Sequence, residues 1–141
     1  MPEGQQKATI LFAEDEGQVR GLFEQVFKLN GFEVMTAVDG KEALQLAERY
    51  EGRIDLLISN VQMPEMTGPD LARELRKSRP QIKIILVSGS PQGVLLLDQG
   101  WIFLHKPVSP SDLITQIEDV LGRPPSPQTD RGGESGFPKP E

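Results

Sequence analysis

Polar side chains close four short apolar runs of this 141-residue sequence. Glu14 and Asp15 follow Ile10-Leu11-Phe12-Ala13, Asn60 follows Leu56-Leu57-Ile58-Ser59, Ser88 follows Ile84-Ile85-Leu86-Val87, and Lys106 comes just after Ile102-Phe103-Leu104. If the runs are parallel strands of one sheet, their ends share an edge, and that edge is where open α/β sheets bind ligands. Two carboxylates, an amide, a hydroxyl and an ammonium would then surround one crevice. Each residue alone has an ordinary account as a helix cap, a turn former or a surface charge. Taken together they are harder to dismiss, because independent loops would not all be expected to put polar groups on the one edge where ligands bind.

The elements that must carry these side chains can be read from periodicity. Strands are expected over residues 7–13, 32–37, 54–59, 82–87 and 101–104. Between them, Val19, Leu22, Phe23, Val26 and Phe27 recur at helical spacing, as do Ala43, Leu44 and Ala47, then Leu71, Ala72 and Leu75. Asp15 with Gln18 and Asp39 with Glu42 have capping-box spacing, and Gly31 and Gly52 are placed to stop the first two helices. Pro69 suits a helix start. Residues 91–100 leave room for only a short fourth helix. Ser109, Pro110 and Asp112 open a fifth, with Leu113, Ile114, Ile117, Val120 and Leu121 inward and Gly122 at its end. Five strands alternating with five helices predict an α/β fold, a parallel sheet with helices on both faces.

Length, charge and composition narrow the function classes. The chain is long enough for one domain with a real core. Residues 1–6 read as an N-terminal extension, 7–122 as the domain, and 123–141 as a disordered Pro/Gly-rich tail with five prolines. Net charge is −6, which argues against a nucleic-acid partner. The absence of cysteine fits a reducing compartment and a cytoplasmic location. No apolar run reaches the roughly 18 residues of a membrane span, so no membrane insertion is expected. A flavodoxin-type cofactor binder on this fold would need a Ser/Thr/Gly-rich loop after the first strand, and Glu14-Asp15-Glu16 is the opposite.

The combination of Ile-Leu-Phe-Ala-Glu-Asp-Glu (10–16), Asp-Leu-Leu-Ile-Ser-Asn-Val-Gln-Met-Pro-Glu-Met-Thr-Gly (55–68), Val-Ser-Gly (87–89) and Lys-Pro (106–107) resembles the receiver domain of two-component response regulators. The likeness runs from about residue 7 to 122. Leu-Ala-Arg-Glu-Leu-Arg followed by Lys-Ile-Ile-Leu-Val-Ser-Gly is similar to receivers carried by hybrid histidine kinases. The resemblance implies a flavodoxin-like five-stranded sheet of order 2-1-3-4-5. It implies a signalling domain rather than an enzyme, with a histidine kinase or histidine phosphotransfer domain as partner. It also implies roles. Asp15 and Glu14 would hold Mg²⁺ together with residue 60 and the backbone carbonyl of Gln62. Ser88 would hydrogen-bond a phosphoryl group, Lys106 would pair with it, and Lys106-Pro107 would be a cis peptide. Phe103 would be the aromatic that moves with Ser88 in the switch.

Asn60 occupies the position where this family carries the aspartate that is phosphorylated. An amide oxygen is a poor nucleophile and gives no stable acyl phosphate. Losing one negative charge also weakens the hold on Mg²⁺. The chain is therefore expected not to be phosphorylated at residue 60. It is either a phosphorylatable receiver changed at one position or a natural pseudo-receiver, a phosphorylation-independent interaction module. Trp101, Phe103 and His105 share one side of the fifth strand. Under a short fourth helix, Trp101 and Phe103 would either face a partner across the helix 4–strand 5–helix 5 surface or fill the space the helix leaves. A metal role for His105, the sole histidine, is not expected.

Overall fold

The apolar runs become strands because Val, Ile, Leu and Phe pack well on a pleated surface covered on both sides. The computed structural model describes residues 7–89 and 101–122. In chain order the elements are β1 (Thr9–Ala13), α1 (Gly17–Leu29), β2 (Glu33–Ala37), α2 (Gly40–Arg49), β3 (Leu56–Asn60), α3 (Gly68–Ser78), β4 (Lys83–Ser88), β5 (Ile102–His105) and α4 (Pro110–Leu121). The last helix is the fifth expected from sequence. The short helix expected over residues 91–100, the extension 1–6 and the tail 123–141 lie outside the described residues.

The strands form one parallel sheet of order β2-β1-β3-β4-β5. Central β1 and β3 are buried along their whole length, while edge strands β2 and β5 are only partly covered. Alternation of side chains divides the interior in two. Leu11, Leu57, Ile84 and Leu86 pack under α2 and α3 with Ala43, Ala47, Leu71 and Leu75. Ile10, Phe12, Leu56, Ile58 and Ile85 pack under α1 and α4 with Phe27, Leu113, Ile114 and Ile117. Phe12 meets Phe27 edge-on, ring centres 5.3 Å apart, which fixes α1 against β1.

Helix ends show where local sequence signals were overridden. Glu16, not Asp15, caps α1, its side chain accepting from the Val19 N–H; Asp15 is drawn instead toward Asn60. Leu22 is exposed, because it lies about 140° around the helix from the buried Phe27. Asn30 forms the C-cap of α1, and Gly31 follows at φ +90°, a conformation that favours glycine. Asp39 caps α2, while the Glu42 carboxylate reaches one residue further back, to the Val38 N–H at 2.7 Å.

Gly52 does not end α2. The chain leaves the helix at Tyr50 in an extended conformation, and a residue from α3's end satisfies the exposed carbonyls. The Arg79 guanidinium donates to the carbonyls of Ala47, Tyr50 and Gly52 at 3.0, 2.8 and 2.9 Å. One planar fork thus ties the C-terminal end of α2 to α3 and offsets the helix dipole there. Arg79→Ala is expected to lower stability by about 1–2 kcal/mol. Arg79→Lys should not restore it, because a point charge cannot reach three carbonyls. Urea unfolding midpoints of the three forms check this.

Candidate functional site

The sheet register builds the site. Ala13 pairs with Ser59, so Glu14, the next residue, comes out beside Asn60. Asn60 pairs with Val87 on its other side, and Ser88 pairs with His105. Glu14, Asn60, Ser88 and Lys106 are therefore each fixed to within one step of a hydrogen-bonded strand pair. The backbone continues the ladder past the strands, through Val61 N–H to Val87 O at 2.9 Å and Lys106 N–H to Ser88 O at 2.8 Å. The Lys106–Pro107 peptide bond is cis.

Asn60 sits at the centre. Its Nδ2 donates to Glu14 Oε2 at 3.0 Å and to Asp15 Oδ1 at 2.8 Å. A primary amide has two N–H groups, and here each carboxylate receives one. The opposite amide orientation would set Oδ1 against two carboxylates, so the charge pattern itself fixes the orientation. Asn60 and Glu14 are 5% and 4% exposed, whereas Asp15 is open to solvent. Glu14 Oε2 also accepts from the Glu16 N–H at 3.0 Å. Arg20, from the first turns of α1, donates to the Glu14 carbonyl at 2.9 Å and brings a positive charge against the acid loop. Arg20 escaped the sequence reading, because its signal is only a position on α1 six residues beyond Glu14.

The remaining candidates divide by face. Ser88 is buried, on the side of the sheet that Leu86 faces, and Phe103, the register partner of Leu86, lies on that side as well. Serine and aromatic are thus diagonal neighbours. Lys106 is exposed and lines the opposite side, with Glu14 and Asn60. Among the described residues Lys106 has no ion-pair partner. A cavity of about 270 Å³ opens there between α1 and α4, walled by Phe12, Phe23, Val108 and Leu113. Gln62 is exposed in the loop leaving Asn60. Trp101 is buried and packs on Phe103 at 6.4 Å, with the Arg73 guanidinium 5.6 Å from its ring centre. Trp101 therefore fills core space and offers no partner surface of its own, while Phe103 is half-buried.

Gly68 is a site residue that the sequence reading treated only as part of a loop. It starts α3, capped by Thr67 in a reciprocal capping box with Asp70, and Pro69 lies in the same first turn. Its N–H bonds the Val61 carbonyl at 2.8 Å. A Cβ at this position would run into the Asn60 carbonyl oxygen and press on Leu86. The helix start can approach the site strand this closely only without a side chain.

The sequence model of the response regulator receiver domain matches residues 10–118. The chain belongs to the response regulator receiver domain family. This receiver is 42% identical over 118 residues to Sensor kinase CckA of Brucella abortus (strain 2308), covering 81% of this chain and 12% of that protein. It is 28% identical over 118 residues to Response regulator SaeR of Staphylococcus aureus (strain USA300), covering 81% of this chain and 50% of that protein. The receiver thus spans only part of each. Its fold matches the crystal structure of the receiver domain from the hybrid histidine kinase CckA with a TM-score of 0.71 and 37% identity, covering 81% of this chain and 99% of that one. It also matches response regulator TrrA from Thermotoga maritima, solved in complex with Mg²⁺-BeF, with a TM-score of 0.71 and 28% identity, covering 81% and 99%.

The donor set of this receiver fits a hard divalent cation. Glu14 and Asp15 offer carboxylate oxygens that converge on a single point, and oxygen ligands plus water suit Mg²⁺. The point of convergence is taken by Asn60 Nδ2. Among the described residues no group of three or more His, Cys, Asp or Glu side chains surrounds a metal position. No helix among them is long and apolar enough to cross a membrane.

Proposed function

We propose that this chain is a two-component receiver whose phosphoryl chemistry is blocked at one atom position, the side chain of Asn60. The observation that carries this reading is the Asn60 amide bonded to both carboxylates at the site's centre. In a competent receiver the residue here presents a carboxylate oxygen to a phosphohistidine of a histidine kinase or histidine phosphotransfer domain. The amide presents N–H groups to the acid pair instead. Glu14, Asp15 and the backbone carbonyl of Gln62 would hold Mg²⁺, with Asn60 contributing only if its amide turns. The ion would supply charge neutralisation around the phosphoryl oxygens. Lys106 adds a point charge from the cavity side. Ser88 would sense an occupant and pass its presence to Phe103, its diagonal neighbour.

A second reading draws on the same hydrogen bonds. Because the amide satisfies the acid pair, the site is complete without a phosphoryl group, as a phosphorylation-independent interaction module requires. Beryllofluoride with Mg²⁺ separates the two, using the chain's single tryptophan, Trp101, as reporter beside Phe103. The blocked-receiver reading predicts a saturable fluorescence change in Asn60→Asp and none in the parent chain. Silence in both forms would favour the interaction module.

A further inference from the structure

Among the described residues no cationic side chain lies against the carboxylates of Glu14 and Asp15. Neither takes part in an ion pair among the described residues, and Arg20 reaches only the Glu14 backbone carbonyl. A buried carboxylate with a second acid beside it is unfavourable unless something compensates. Beside the Glu16 N–H on Glu14 Oε2, the side-chain compensation visible here is the Asn60 carboxamide, with one N–H on each carboxylate at 3.0 and 2.8 Å. Glu14 and Asn60 are both more than nine-tenths buried, so water competes little for the bond between them.

We infer that the Asn60 carboxamide is a built-in substitute for a divalent cation, so that the folded domain holds its acid loop in one arrangement and draws no stability from Mg²⁺. To admit the ion the amide would have to turn by half a revolution, breaking both hydrogen bonds and presenting Oδ1. Binding is therefore set against a preformed internal partner, which should weaken it on the order of 100-fold relative to a site without one. A carboxylate at position 60 would reverse the situation. Three acids would meet at one point, destabilising the ion-free fold, and Mg²⁺ would restore it by preferential binding to the folded state. The inference stands on the amide geometry alone and holds whether or not residue 60 ever carried a phosphoryl group.

Thermal unfolding of the full chain, followed by far-ultraviolet circular dichroism, tests it. Parent, Asn60→Asp and Asn60→Ala are compared in EDTA and in MgCl₂ at matched ionic strength. The parent midpoint should move by no more than about 1 °C. Asn60→Asp should melt several degrees lower in EDTA and recover on the order of 5 °C with Mg²⁺, or fold only when Mg²⁺ is present. Asn60→Ala removes the two donors without adding charge, and it too should gain a Mg²⁺ response. A parent chain stabilised as much as Asn60→Asp would overturn the inference. So would an Asn60→Ala form as indifferent to Mg²⁺ as the parent, because the amide would then not be what replaces the ion.

Discussion

Asn60→Asp is expected to take up one phosphoryl group from acetyl phosphate in the presence of Mg²⁺, where the parent chain takes up none. The expectation rests on the site's geometry and on elementary chemistry. A carboxylate oxygen attacks phosphorus, a P–O bond forms, the bond to the acetate oxygen breaks, and acetate leaves with the electron pair. The amide oxygen of Asn60 is a far weaker nucleophile, and its nitrogen lone pair is delocalised. On the proposed reading, the surroundings of residue 60 supply the rest of what the reaction needs. Glu14 and Asp15 converge on it, Ser88 stands one residue past its register partner Val87, and Lys106 lines its cavity side. In the Asn60→Asp background, Lys106→Met should slow labelling about 100-fold, the scale of removing one charge stabiliser from a transition state. Incorporation of labelled phosphate over time reads both effects.

Gly68→Ala is expected to destabilise the domain by about 3 kcal/mol, a large share of a typical total of roughly 5–15 kcal/mol. Helix propensity alone predicts the opposite sign, because Ala is better than Gly in a helix by about 1 kcal/mol. The structure decides between them. The added Cβ would meet the Asn60 backbone carbonyl oxygen, which already accepts from Ser59 Oγ at 2.8 Å. Relief requires moving the start of α3 and loosening the Gly68 N–H to Val61 bond. Both moves shift the strand end that aims the residue-60 side chain. Denaturant unfolding gives the sign. A stability equal to or above the parent's would mean that this contact does not constrain the helix start.

Much of the fold was legible because it depends on patterns spread over many residues. Continuous apolar runs such as Leu56-Leu57-Ile58 mark strands covered on both faces, and the strand–helix alternation restricts the topology. The division of Trp101 and Phe103 from Ile102 and Leu104 followed from the two-residue period of a strand. What was not legible depends on contacts between segments distant in sequence. Asp15 has the spacing of a helix cap, yet an amide 45 residues away draws its side chain and Glu16 takes the cap. Gly52 looks like a helix stop, yet α2 ends at Tyr50, and Arg79, the residue that caps α3, satisfies the carbonyls there. Leu22 fits an apolar stripe, yet the stripe's direction is set by Phe27 packing on Phe12. Gly68 carries no signal of its own until the Asn60 carbonyl is seen beside it. The residue types at the sheet edge could be named from sequence. The hydrogen bonds that make Asn60 the partner of both acids could not.

The most direct test of the account is to locate the phosphoryl group by chemistry. Parent and Asn60→Asp chains are incubated with acetyl phosphate and Mg²⁺, reduced with borohydride, which converts an aspartyl phosphate to homoserine, and digested for peptide mass spectrometry. The account predicts homoserine at position 60 of Asn60→Asp and no modified residue in the parent. Modification of the parent chain, modification of Asn60→Asp at another residue such as Asp15, or no modification of either form would contradict it.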